Sequence, residues 1–113
     1  MSLPILENYA EGKWVHSSSA NDILHNAITG EPIYRAGSDG LDFAAMMQYA
    51  RQKGNRTLRK MTFQQRGLML KALALHLQSK KEIFYAISAL TGATRVDSWV
   101  DIEGGIGNLF TYA

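Results

Sequence analysis

The chain contains no cysteine. That excludes a disulfide framework, a thiolate metal site and a cysteine nucleophile within these residues. No apolar run reaches the roughly 18 residues of a membrane-spanning helix, so no membrane partner is expected. The N-terminus has no basic region followed by an apolar stretch. No secretory signal is visible, and a cytoplasmic, reducing setting is the expectation. Acidic residues are missing between Asp42 and Glu82, yet the net charge is only +2. Gross electrostatics therefore names no partner. No internal repeat and no low-complexity tract occurs.

What is present is enough for one small domain. The chain has 113 residues, 46% of them apolar, which supplies material for a core and argues against disorder. Residues 1–40 read as an arm and a small β element. Met1 to Glu11 is the arm. Lys13-Trp14-Val15-His16 is a short β piece, and Asp22 to Ile28 is a second. Thr29-Gly30-Glu31-Pro32 is a turn, after which Ile33-Tyr34-Arg35-Ala36 returns. Ile23–Ile28 and Pro32–Ala36 are expected to form a hairpin.

Residues 41–113 read as about four helices. Leu41, Ala44, Ala45 and Met47 lead to Gly54, the expected C′ glycine, and a loop through Asn55-Arg56-Thr57. Thr62 fits an N-cap, and Gln65 the reciprocal capping-box position. Phe63, Leu70, Leu73 and Leu77 form one stripe of this second helix; Leu68 and Leu75 lie nearly opposite. A helix apolar on both sides is usually buried on both sides, so missing neighbours are expected. Lys80-Lys81-Glu82 marks a break or continuation. Ile83, Ile87 and Leu90 form a third stripe, closed by Thr91-Gly92. Thr94 or Ser98 caps the fourth helix. There Trp99, Ile102, Ile106, Leu109 and Ala113 recur at helical intervals. The pattern is still in phase at Tyr112-Ala113, without a stop signal, and the expectation is a truncated piece of a larger domain.

The residues offer little chemistry of their own. Gly104-Gly105-Ile106-Gly107 invites a phosphate-loop reading, but its spacing matches neither glycine-rich nucleotide motif and no strand precedes it. Close helix packing is the favoured explanation. Asp97 and Asp101 share a helix face, with Glu103 nearby; a solvated acidic edge is favoured over an acid/base pair or a cation site. His16, His25 and His76 lack ligand spacing. Arg51, Lys53, Arg56, Arg59, Lys60, Arg66 and Lys71 form a basic run across a loop and two helices. A solvated face is favoured over a nucleic-acid surface.

A family resemblance adds what spacing does not. Gly12-Lys13-Trp14-Val15, Asn26-Ala27-Ile28-Thr29-Gly30-Glu31-Pro32-Ile33, Asp42-Phe43-Ala44-Ala45, Met61-Thr62-Phe63-Gln64-Gln65-Arg66 and Leu90-Thr91-Gly92 follow in the order seen in the N-terminal region of the aldehyde dehydrogenase superfamily. The family shows Asn-Pro-x-Thr-Gly-Glu at the hairpin; here Ala27 follows Asn26. The run from Leu90 through Asp97-Ser98-Trp99-Val100-Asp101-Ile102-Glu103-Gly104-Gly105-Ile106-Gly107 to Leu109-Phe110-Thr111-Tyr112-Ala113 resembles the bifunctional ring-opening branch of phenylacetate degradation.

The resemblance implies a mainly α piece with a small N-terminal β-hairpin, taken from the N-terminal part of an α/β aldehyde dehydrogenase fold. It implies a parent that oxidises a CoA-linked semialdehyde with NADP, beside a C-terminal domain that hydrolyses oxepin-CoA. It assigns no catalytic, cofactor-binding or metal residue to this chain, because the family's catalytic cysteine, Glu and Asn come later. The chain alone is expected to be structural and inactive. Its expected partners are the rest of the dehydrogenase domain and further copies of itself, with no nucleic acid. Some family members hold a monovalent cation with an acid matching Asp101 and a carbonyl matching Leu24 or His25. The rival readings are a self-contained helical interaction module and a basic nucleic-acid-binding module.

Overall fold

The computed structural model describes residues 2–113. It divides into two compact units, one ending at Thr57 and one running Leu58–Ala113.

The first unit contains two antiparallel hairpins. Strand β1 (Asn8–Ala10) pairs with β2 (Lys13–Val15). The two-residue turn between them, Glu11-Gly12, has positive φ at both positions, 53° and 79°. That backbone twist matches the twist of the flanking strands. Tyr9 lies opposite Trp14, and their rings meet edge to face at 5.0 Å. The expected arm is thus largely paired. Its Leu6 N–H also bonds the Arg35 carbonyl at 2.9 Å, and its Pro4 carbonyl accepts from the Arg35 N–H at 2.9 Å.

Strand β3 (Asp22–His25) pairs with β4 (Pro32–Ala36). The expected strand to Ile28 is shorter by three residues. Asn26 ends it, because its Oδ1 accepts from the N–H groups of Ile28 (2.9 Å) and Thr29 (3.3 Å). A side chain that captures backbone donors competes with the ladder. Beyond the hairpin, Gly37 fills a spot where a Cβ would sit 2.6 Å from the Ser19 carbonyl oxygen.

Helix α1 (Phe43–Tyr49) is capped by Asp42, whose side chain accepts from the Ala45 N–H at 2.9 Å. Gly54 does not stop it. The helix widens into a π-helical stretch, Ala50–Asn55, and continues as α2 (Arg56–Lys60). Gly54 keeps a helical backbone, whereas the glycines with positive φ are Gly12, Gly30, Gly40 and Gly92. The wider turn takes up the expected loop, and the Thr57 hydroxyl donates to the Lys53 carbonyl at 2.8 Å.

The second unit is built on α3 (Phe63–Ser79), α4 (Lys81–Ala89) and α5 (Arg95–Thr111). The capping box forms as expected: the Gln65 N–H donates to Thr62 Oγ1 at 3.1 Å, and the Thr62 N–H to Gln65 Oε1 at 2.8 Å. Lys80 is a break, leaving the α region between α3 and α4. Thr94 caps α5 by accepting from the Asp97 N–H at 3.1 Å. Ser98 lies inside the helix. Helix α5 ends at Thr111, short of the in-phase Ala113.

Helix α5 packs against both α3 and α4. The buried residues of this unit are few, and two of the four are small: Ala74, Tyr85, Ser98 and Ile106. The expected α4 stripe is reversed. Ile83 and Ile87 face solvent, and Tyr85 is the buried residue. On α3, Leu70 and Leu77 are half-buried, while Leu68 is 67% and Leu75 51% exposed; Trp99 on α5 is 57% exposed. Even two separate compact units of half this mass would together expose only about 7,500 Å². The chain exposes 8576 Å².

With so little core, caps carry an unusual share of stability. Thr62→Ala removes the acceptor for the Gln65 N–H and should destabilise the second unit by about 1 kcal/mol. Urea unfolding followed by helical circular dichroism measures this, and Thr62→Ser should retain most of the stability.

Candidate functional site

The densest polar cluster in the second unit lies where α4 meets α5. Lys81, Tyr85 and Ser88 recur at intervals of four and three, so they share a face of α4. Opposite them α5 presents Arg95, Ser98 and Glu103. The Tyr85 hydroxyl donates to Glu103 Oε2 at 2.5 Å, and Lys81 Nζ to Glu103 Oε1 at 3.2 Å. Ser88 Oγ and the buried Ser98 Oγ lie 2.8 Å apart. Arg95 lies 3.6 Å over the Tyr85 ring and pairs with Glu82 at 3.3 Å.

Burial and the adjoining Glu103 carboxylate raise the Tyr85 pKa. The hydrogen bonds from Tyr85 and then Lys81 lower that of Glu103. Near neutral pH the pair is a neutral phenol donating to a carboxylate. A recess of about 340 Å³ beside it is lined by Tyr85, Ala89, Arg95 and Ser98. Its cation is already stacked and paired, and its carboxylate is already doubly bonded. The cluster joins two helices. Sequence spacing could have shown it, through the Lys81–Tyr85–Ser88 stripe, but the isoleucine stripe on the same helix was the stronger apolar signal.

The residues singled out from sequence are divided between the two units. Gly104, Gly105 and Gly107 lie within α5. Helical N–H groups there are committed to carbonyls one turn back, so they cannot cradle a phosphate. The favoured packing explanation also fails within this chain, because a Cβ at any of the three would meet nothing within 4 Å. Asp97 Oδ2 accepts from the Thr94 hydroxyl at 3.0 Å. Asp101 is exposed on α5, and Leu24 and His25 are exposed on β3 of the first unit. His16 Nε2 approaches Glu7 Oε1 at 2.6 Å, and His76 is exposed on α3. Among the described residues no group of three or more His, Asp or Glu gathers as metal ligands would. Arg51, Lys53 and Arg56 belong to the first unit, Arg59, Lys60, Arg66 and Lys71 to the second. No helix among the described residues is long and apolar enough to cross a membrane.

The two pKa directions set a pH dependence. Glu103 ionises more readily folded than unfolded, so its stabilisation is complete above its ordinary value of 4.5 and is lost as pH falls through the lowered one. Tyr85 resists ionisation, so stability also declines as pH climbs past its ordinary value of 10.0. Glu103→Gln should lower the melting temperature at neutral pH and flatten its fall on acidification. Thermal unfolding at a series of pH values checks both effects.

No family model matches the chain. It is 35% identical over 109 residues to a 3,4-dehydroadipyl-CoA semialdehyde dehydrogenase of Aromatoleum evansii. The match takes in 96% of this chain and 21% of that protein, so the chain spans about a fifth of the length of the curated relative it matches. The resemblance carried by the hairpin, the capping box and the final helix is borne out by this match. The chain is similar, along nearly its whole length, to one part of a CoA-semialdehyde dehydrogenase.

Proposed function

We propose that the chain is the N-terminal structural part of an aldehyde dehydrogenase that oxidises a CoA-linked semialdehyde to the acid. In this reading NADP accepts the hydride. The substrate arises from oxepin-CoA, hydrolysed by a C-terminal domain of the same polypeptide in phenylacetate degradation. The chain is then a piece of an α/β aldehyde dehydrogenase fold.

The observation that carries the reading is the match itself, which uses 96% of this chain but 21% of the relative. The absence of cysteine supports the division of labour. Family aldehyde oxidation needs a thiolate that is nucleophilic and leaves readily, and this chain has none. None of its residues is assigned to the dinucleotide, and the glycine run in α5 does not suit one. What the chain supplies is helix surface. Leu68, Leu75 and Trp99 are exposed, and patches of this kind mark faces that another protein surface covers. In the whole enzyme the rest of the dehydrogenase covers them; alone, further copies of the chain do.

The purified chain should therefore form no NADPH from NADP and a CoA-linked semialdehyde, read by nicotinamide absorbance. A turnover above the protein-free blank would overturn the proposal. So would a coding sequence that runs on past Ala113 without reaching a cysteine in a dehydrogenase-like domain.

A further inference from the structure

Glycine is the poorest helix former after proline, and α5 carries Gly104, Gly105 and Gly107 within four positions. Apart from Gly54, the glycines elsewhere in the chain have a positive φ or a close neighbour. A Cβ at Gly67 would sit 3.1 Å from the Ala113 carbonyl carbon, and one at Gly37 would collide with the Ser19 carbonyl. In α5 the space beside all three glycines is open.

Val96, Val100, Gly104 and Gly107 follow at intervals of four, four and three, which places them along one face of α5. Val96 is 69% and Val100 60% exposed. The face turned into the unit is a different one, carrying Ser98, Ile102, Ile106 and Leu109. The outer face thus has two bare valines at one end and bare backbone at the other. Asp97 and Asp101 border it, and no Lys or Arg follows Arg95 in the chain.

We propose that this outer face of α5 is a docking surface for another element of the dehydrogenase polypeptide, which approaches the helix backbone closely over Gly104 and Gly107. The inference rests on the functional reading above. Two observations favour this occupant over a second copy of the chain. Most of the relative's polypeptide lies outside the match, which takes up 21% of it. A second α5 would bring its own acidic border and a single cation, Arg95, which is already stacked over Tyr85 and paired with Glu82, and like charges brought together oppose association. The docked element is an apolar ridge with small residues opposite the glycines and Lys or Arg beside the two aspartates.

The test is a chimera in which these residues replace the matched 109 residues of the Aromatoleum relative. Gly104→Leu is compared with Gly105→Leu, which points about 100° around the helix from Gly104 and off the proposed face. In the isolated chain both substitutions should leave the melting temperature unchanged or raise it, because both enter open space. In the chimera Gly104→Leu should cut dehydrogenase activity in the soluble fraction at least tenfold, with Gly105→Leu close to the unsubstituted chimera. An active chimera that tolerates Gly104→Leu as well as Gly105→Leu overturns the docking face and leaves the functional reading standing. An inactive unsubstituted chimera overturns the functional reading, and the docking face with it.

Discussion

The join between α4 and α5 is the contact on which the second unit depends, and it is polar at its centre. Tyr85 brings both the buried ring and the hydroxyl that reaches Glu103. Lys81 completes the carboxylate's bonding, and Ser88 meets Ser98 where a larger residue would hold the helices apart. Each group is satisfied by another, which is the condition for burying polar atoms at all. A shared arrangement of this kind fixes where two helices meet more sharply than a greasy contact would, because a small slide leaves donors without acceptors.

That specificity sits in a unit with little hydrophobic drive. The other buried side chains are Ala74 and Ile106, and alanine removes little apolar area from water. Many larger apolar residues of α3, α4 and α5 are exposed. Leu68 and Leu75 lie on one side of α3, Ile83 and Ile87 on α4, and Val96, Trp99 and Val100 on α5. Near the end of α5 an apolar groove of about 500 Å³ runs between Phe63, Leu68 and Tyr112. The surface left bare exceeds what compact units of this size expose, and it is distributed over every long helix. This pattern suits helices whose outer faces are covered by a neighbouring surface, in keeping with the proposed place of the chain in a longer dehydrogenase.

Local chemistry was the legible part of the fold. Thr62 with Gln65, Thr94 before α5, Lys80 between helices and the Pro32–Ala36 strand follow from caps, breaks and turn residues that act within a few positions. The misread places each involve a competing neighbour. Asn26 took donors the strand would have used, and Gly54 was absorbed by a π-helical turn. The α4 stripe was misjudged because a periodic apolar face marks what wants burial, while the buried face is the one that finds a partner. Ile83 and Ile87 stay exposed; Tyr85 finds Glu103. The α4–α5 cluster was not legible, because Glu103 was read only with the acids of its own helix.

In the proposed reading these helices carry apolar faces that a neighbouring surface covers. Sedimentation velocity over a range of concentrations, with a hydrophobic dye read on the same samples, tests it most directly. Association should grow with concentration, and dye fluorescence should fall as the faces become covered. A single monomeric species at all concentrations, with no dye binding, would contradict it.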